Sequence, residues 1–179
     1  MKEQYGKWKV EETLKEDRCY LASSDDQKGV IKIGRNIAKE VLALKLVHDH
    51  ANIVTLLDYD LEAEEPYLVT EFFEDSLQMH LYRPHNFNVS EITDAILNIC
   101  EGITHCLSKG ICPIDVQFLS NQKLEVRLVD FECPMIMESI DDMRQGLSLV
   151  EKKISLFENS VFRSNGRRRQ KEELLTKNI

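Results

Sequence analysis

The sequence predicts an α+β fold, in which one helix packs on an antiparallel sheet and a second, mainly helical part follows. Three patterns carry that expectation. Up to residue 74, short runs of alternating apolar and polar side chains are broken by turn residues. One run, at 37–47, repeats with the helical period instead, and beyond residue 75 that period takes over.

Taken in order, Trp8-Lys9-Val10-Glu11-Glu12-Thr13-Leu14 reads as a half-buried strand. The polar run 15–18 separates it from a second strand at 19–22, and a turn-rich stretch at 23–29 leads to a third. That third strand, Val30-Ile31-Lys32-Ile33, is β-branched and apolar except for one lysine. Asn36 stands where it would cap a helix whose Ile37, Val41, Leu44 and Val47 share a face. Two further strands, at 52–59 and 66–73, flank an acidic hairpin loop at 60–65. The order β-β-β-α-β-β gives five strands and one helix.

A short helix is expected at 76–81, stopped by Pro84. Ser90 is expected to cap a long helix with the stripe Ile92, Ala95, Ile96, Ile99, Ile103, Cys106 and Leu107, and Gly110 to end it. Residues 116–120 and 125–129 read as a hairpin, and 140–157 as a helix. Asn165-Gly166 breaks the pattern before a charged closing helix. The expected organisation is a sheet-plus-helix unit at 1–74, a smaller helical unit at 75–160, and a basic tail or helix at 161–179.

The 179 residues, 42% hydrophobic and 30% charged, suffice for a buried core without disulfide staples. Five cysteines, at 19, 100, 106, 112 and 133, form no CxxC pair and no zinc-like Cys/His spacing, as expected for reduced thiols of a cytoplasmic protein. The net charge of −8 argues against a nucleic-acid partner. Residues 161–179 run the other way, with six basic groups against Glu172 and Glu173. Such an end can hold phosphate, an acidic partner or its own domain, or be a solvated helix. No apolar run approaches the ~20 residues of a membrane span, and Met1-Lys2-Glu3-Gln4 lacks the apolar stretch of a secretory signal.

Several segments share one further likeness. Val30-Ile31-Lys32 matches a V-A-I-K strand, with Tyr20-Leu21-Ala22 ending the strand before it. Glu40 and then His50-Ala51-Asn52-Ile53-Val54 follow as a central helix and its H-P-N-I-V exit would. Tyr67-Leu68-Val69-Thr70-Glu71-Phe72 resembles a strand entering a hinge, and Leu128-Val129-Asp130-Phe131-Glu132 a D-F-G segment with glutamate for glycine. In order and spacing these segments resemble an eroded, truncated eukaryotic-type protein kinase domain.

The resemblance implies a two-lobe fold, with a five-stranded antiparallel N-lobe carrying one helix and a reduced, mainly helical C-lobe. It implies ATP and Mg²⁺ as cofactors. Lys32 would hold nucleotide phosphates and Glu40 would orient it, with Thr70, Glu71 and Phe72 bordering the nucleotide. Asp130 would hold Mg²⁺, and Asp115 would accept the proton of an attacking hydroxyl. The residues alone leave other roles open: a structural Lys32–Glu40 ion pair, Asp130 as a turn residue, Asp115 as a loop residue before a strand.

The sequence also departs from that pattern. Lys15-Glu16-Asp17-Arg18, whose two acidic residues would repel a triphosphate, replaces the glycine-rich loop, whose backbone amides approach phosphates closely. Cys112-Pro113-Ile114-Asp115 lacks the histidine and arginine of H-R-D, and Ser120 stands where the second metal's asparagine is expected. No A-P-E follows Asp130, which leaves little room for a segment that docks a peptide substrate. These departures favour a pseudokinase, a binding or regulatory module in signalling that docks on a kinase or other signalling protein. The alternative is an active minimal Ser/Thr-type or small-molecule kinase. A third reading is an unrelated α+β interaction domain.

Overall fold

The computed structural model describes residues 2–15, 18–77, 79, 87–113, 117–120, 124–131, 134–137, 139, 141–142, 144–149, 151–152 and 155. The first part is a single antiparallel sheet. Its strands are β1 (Gln4–Tyr5), β2 (Trp8–Lys15), β3 (Cys19–Ser24), β4 (Gln27–Ile33), β5 (Leu56–Asp60) and β6 (Tyr67–Glu71), paired in the order β1-β2-β3-β4-β6-β5. Six strands replace the expected five. Tyr5 pairs with Trp8 across a tight turn at Gly6, whose φ of +56° suits glycine. A two-residue strand is too short to show a period.

The register divides the sheet into two faces. Tyr20 lies opposite Ile31 and Ile31 opposite Val69, so these share a face with Trp8, Ala22 and Tyr67 in one aromatic-rich cluster. Trp8 is wholly buried, and its indole N–H donates to Asp58 Oδ2 at 3.0 Å. The other face carries Lys32 opposite Leu68 and is covered by helix α1 (Ile37–Val47) through Ile37 and Val41. Asn36 precedes α1 as expected, but its side chain makes no capping bond. Instead its carbonyl accepts from the Lys39 and Glu40 N–H groups.

Asn52–Thr55 was expected to be strand and instead serves as a splice, with β5 starting only at Leu56. The Leu128 N–H donates to Asn52 O at 2.8 Å, and the Val54 N–H to Leu128 O at 3.0 Å, forming a parallel bridge at Ile53. The turn expected at 23–29 shrinks to Asp25 and Asp26, with Asp25 at φ +52°, a backbone region aspartate tolerates better than most residues.

Beyond residue 75, helix α2 (Val89–Ser108) buries Ala95, Ile99, Gly102, Ile103 and Cys106, close to the expected stripe. Its cap is Asn88 rather than Ser90. Asn88 Oδ1 accepts from the Glu91 N–H, and Glu91 Oε2 from the Asn88 N–H, a reciprocal capping box. Gly110, at φ +74°, follows the helix as predicted. The expected hairpin appears as β9 (Gln117–Ser120) with β10 (Val126–Val129). Three short strands were not foreseen: β7 (Asp75–Ser76) joins β9, and β8 (Ile111–Pro113) pairs with β11 (Pro134–Ile136). Among the described residues helix outweighs strand beyond residue 75, and five short strands that the sequence reading did not fully foresee lie beside α2.

Ser76 belongs to β7, and only Leu77 and Met79 of the expected 76–81 helix are described, both helical. Helical residues also occur across 141–155, while the tail at 161–179 lies outside the described residues. One large core joins α1, the 53–54 splice, α2 and β10. No disulfide forms among the described residues, and none of their helices is long and apolar enough to cross a membrane.

Gly102 sets how closely α2 approaches the splice. A Cβ there would lie 2.8 Å from Leu128 Cδ1 and 3.2 Å from Asn52 O. Alanine would gain about 1 kcal/mol of helix propensity, but overpacking against backbone costs about 1–3 kcal/mol. Gly102→Ala is expected to lower stability by about 1 kcal/mol in urea unfolding, whereas a gain would mean the helix simply shifts outward.

Candidate functional site

A lysine on an apolar strand must find opposite charge, because burying an unpaired ammonium is costly. Lys32 is such a residue, with a side chain only 17% exposed. It sits near the end of β4, on the face that α1 covers. Glu40 occupies the buried stripe of α1 between Ile37 and Val41/Leu44, and its side chain is 3% exposed. Lys32 Nζ donates to Glu40 Oε1 at 2.8 Å and to Asp130 Oδ1 at 3.2 Å. Asp130 directly follows β10 and holds φ at +69°, in the left-handed region. Residues 32, 40 and 130, far apart in sequence, thus meet around one ammonium.

Burial works to lower the Lys32 pKa, but the carboxylates of Glu40 and Asp130 outweigh it, and the ammonium is held above its ordinary value. Burial pushes the Glu40 carboxyl up despite Lys32 and the Phe131 N–H it accepts, and Asp130 adds to the rise. The Cys19 thiol, opposite Lys32 in the β3–β4 register, is also pushed up by burial against the pull of Lys32 and Lys15. Cys19 is therefore a poor nucleophile.

These groups border a cavity of about 410 Å³. Its walls hold Lys32, Glu40 and Asp130 together with Lys15, Arg18 and Arg35. In the sequence Lys15 and Arg18 stand out only as part of the segment that replaces the glycine-rich loop, and Arg35 does not stand out. Lys15 ends β2, Arg18 lies in the turn before β3, and Arg35 lies in the turn after β4. Thr70, Glu71 and Phe72 do not line this cavity. Thr70 is buried in β6 between Val30 and Leu56. Glu71 Oε1 accepts from the Thr55 N–H at 2.8 Å and the Thr55 hydroxyl at 3.0 Å, which ties that carboxylate to the splice. Asp115 and Glu132 lie outside the described residues. Ser120, at the expected metal-asparagine position, is fully buried.

No group of three or more His, Cys, Asp or Glu able to hold a metal occurs among the described residues. A dedicated protein cage for a divalent ion is thus not built there. Mg²⁺ commonly takes one or two carboxylates and completes its shell with phosphate oxygens and water. Asp130 beside an open cavity fits that mode.

Lys32→Met would leave Glu40 buried without its cation. Deleting one partner of a buried pair costs about 3–5 kcal/mol, and the partial exposure of Lys32 and Asp130 places the expected loss near 2–3 kcal/mol at about pH 8. A carboxyl whose folded pKa lies above its unfolded value stabilises the fold at low pH and loses that contribution as pH rises through the folded value. Without Lys32 the Glu40 pKa rises further, so the loss should shrink as pH falls toward about 5. Lys32→Met/Glu40→Gln should recover most of it. Urea unfolding at both pH values checks this, and an unchanged loss at the lower pH would refute it.

A family model described as the protein kinase domain matches residues 17–147. The chain is also similar to the probable serine/threonine-protein kinase glkA of Dictyostelium discoideum, 30% identical over 134 residues, or 68% of this chain. The chain spans 28% of the length of that relative. The matched region contains Lys32, Glu40 and Asp130, the three residues that the fold brings together. The family match covers most of the sequence, and the chain belongs to the protein kinase domain family.

Proposed function

We propose that this chain is a nucleotide-responsive pseudokinase, a binding or regulatory module in signalling with weak or no phosphoryl transfer. The observation that carries this reading is the Lys32–Glu40–Asp130 cluster at the wall of an open cleft, kept while neighbouring catalytic parts are altered. On this reading the sheet with α1 forms an upper lobe at 1–74 and the part built on α2 a lower lobe at 75–160. Lys32 and Glu40 come from the first lobe and Asp130 from the second.

ATP with Mg²⁺ would supply a transferable phosphoryl group and charge neutralisation. Lys32 would bind the phosphates, Glu40 would hold the lysine in place, and Asp130 would take the metal. Thr70, Glu71 and Phe72 would border the base beyond the walls of this cavity, which they do not line. Three features argue against efficient transfer. Lys15 and Arg18 stand where glycine would let backbone amides reach the phosphates. Ser120 is buried, so it offers no metal ligand at the cleft. Asp115 lacks the neighbouring histidine and arginine of the family motif.

A protein partner, a kinase or another signalling protein, is proposed for the acidic surface and the basic tail. The loop at 60–65 contributes less free charge than its composition suggests. Glu65 Oε2 accepts from the buried Tyr5 hydroxyl at 2.6 Å, and Glu64 lies 3.6 Å from Lys2. Asp60, Glu62 and Glu64 remain exposed to a partner.

The intact cluster and the relative's description as a probable serine/threonine-protein kinase favour a second reading, an active minimal kinase acting on a Ser/Thr hydroxyl or a small molecule. Thermal unfolding with ATP, with Mg²⁺ present or chelated, tests the nucleotide reading. Ligand at a hundred times its dissociation constant stabilises by about 2.7 kcal/mol, a melting shift of roughly 5–10 °C for a chain of this size. The expected shift disappears in Asp130→Asn when Mg²⁺ is present, and asparagine keeps the left-handed backbone tolerable. No shift at millimolar ATP would refute nucleotide binding. Radiolabel transfer from ATP that vanishes in Asp130→Asn would establish the active-kinase alternative.

A further inference from the structure

Among the described residues that line the cleft beside Lys32, cations outnumber carboxylates. Lys15, Arg18, Lys32 and Arg35 line it against Glu40 and Asp130, on a chain whose net charge is −8. Glu40 and Asp130 both engage Lys32. Among the described residues no ion pair engages Lys15, Arg18 or Arg35.

The backbone sets these cations around one opening. The Arg18 N–H donates to Lys15 O at 3.2 Å, and Arg18 O accepts from the Ile33 N–H at 2.9 Å, which pins the β2–β3 tip beside Lys32. Arg35 lines the same cavity from the turn between β4 and α1. There Gly34 has φ +149°, and a Cβ on it would meet nothing within 4 Å, so the rim stays open. Arg18 and Arg35 are both exposed.

We propose that Lys15, Arg18 and Arg35 form a side-chain clamp for a polyphosphate chain, so that the cleft recognises phosphate charge rather than a nucleoside. Guanidinium groups present planar forks of donors that match phosphate oxygens, and they reach where a side-chain-bearing loop keeps backbone amides at a distance. The residues expected to border a base, Thr70, Glu71 and Phe72, are not part of this cavity. Local positive potential on an acidic body also concentrates polyanions at the opening. The inference rests on the reading of this cleft as a phosphate site and narrows its ligand class to a phosphate chain, free or carried on a nucleoside.

Titration calorimetry of the full chain with sodium tripolyphosphate, ATP and adenosine tests it. Tripolyphosphate is expected to bind within about tenfold of ATP, and adenosine not to bind, because the contacts are charge-assisted. Arg18→Gln/Arg35→Gln should weaken both phosphate ligands about tenfold or more while leaving the circular dichroism spectrum and melting temperature unchanged. Adenosine binding as tightly as ATP would overturn the clamp, as would tripolyphosphate affinity that survives the double substitution. If ATP binds and tripolyphosphate does not, the clamp falls and the nucleotide reading stands. If tripolyphosphate binds with arginine dependence and ATP does not, the clamp stands and the nucleotide reading falls.

Discussion

One ammonium group organises the centre of this molecule. Lys32 points from the sheet toward α1, where an uncompensated charge would be strongly unfavourable, so the fold must deliver carboxylates to it. Glu40 arrives from the apolar stripe of α1 and Asp130 from the end of β10. The sheet, the helix and the second part of the chain are thereby bound through a single atom, Lys32 Nζ. Such a pair contributes little net stability against an apolar replacement, but losing one member leaves the other buried and unbalanced. Its value lies in fixing where three elements meet.

Asp130 reaches that atom because β10 is fastened two residues earlier. Leu128 exchanges backbone hydrogen bonds with Asn52 and Val54, and the Asn52 side chain donates to Val126 O at 3.3 Å. The Asn52 N–H donates in turn to His50 Nδ1 at 3.1 Å. His50 stacks on His105 of α2, with ring centroids 4.6 Å apart, and burial together with His105 holds its pKa below the ordinary value. A neutral imidazole is what this bond requires, since a protonated Nδ1 could not accept it. Gly102 lets α2 press on the same splice. A tight core contact thus controls the position of a polar group some residues away, as close-packed interiors do.

What could be read in the sequence follows from which signals are local. The α+β class, the hairpin leading to β10, the stripe of α2 and the stop at Gly110 all rest on periodicity or on glycine's backbone freedom, and each was legible. The Lys32–Glu40 pairing was legible too, from a lysine inside an apolar strand and from the family resemblance that set Glu40 beside it. β1, β7, β8 and β11 were not, because two or three residues show no period, and their pairing is decided by distant strands. Asn88 displaced Ser90 as the cap through its reciprocal bond with Glu91, a spacing present in the sequence between two residues of about equal capping preference. The cations around the cavity were hidden differently. Lys15, Arg18 and Arg35 are ordinary charged residues in one dimension and become a cluster only when the β2–β3 tip and the β4–α1 turn face one opening.

The shared lysine also implies that phosphate and metal would not bind the cleft independently. With no ligand, Lys32 Nζ is divided between two carboxylates, and a cation approaching Asp130 must compete with an ammonium already 3.2 Å away. At an effective dielectric near 20, like charges about 4 Å apart repel by about 4 kcal/mol, a gross figure that is enough to discourage metal binding by Asp130 alone. A phosphate chain drawn in by Lys15, Arg18 and Arg35 would offer Lys32 new acceptors and loosen its hold on Asp130. The freed carboxylate and the added phosphate oxygens together make the oxygen-rich shell Mg²⁺ prefers. On the proposed reading each ligand would prepare the site for the other, and linkage would make the favour equal in both directions. Glu40, the more buried partner, keeps the ammonium anchored while Asp130 is exchanged. On the proposed reading, the more buried Lys32–Glu40 pair would hold the lysine to the helix and the less buried Lys32–Asp130 pair would open to ligand.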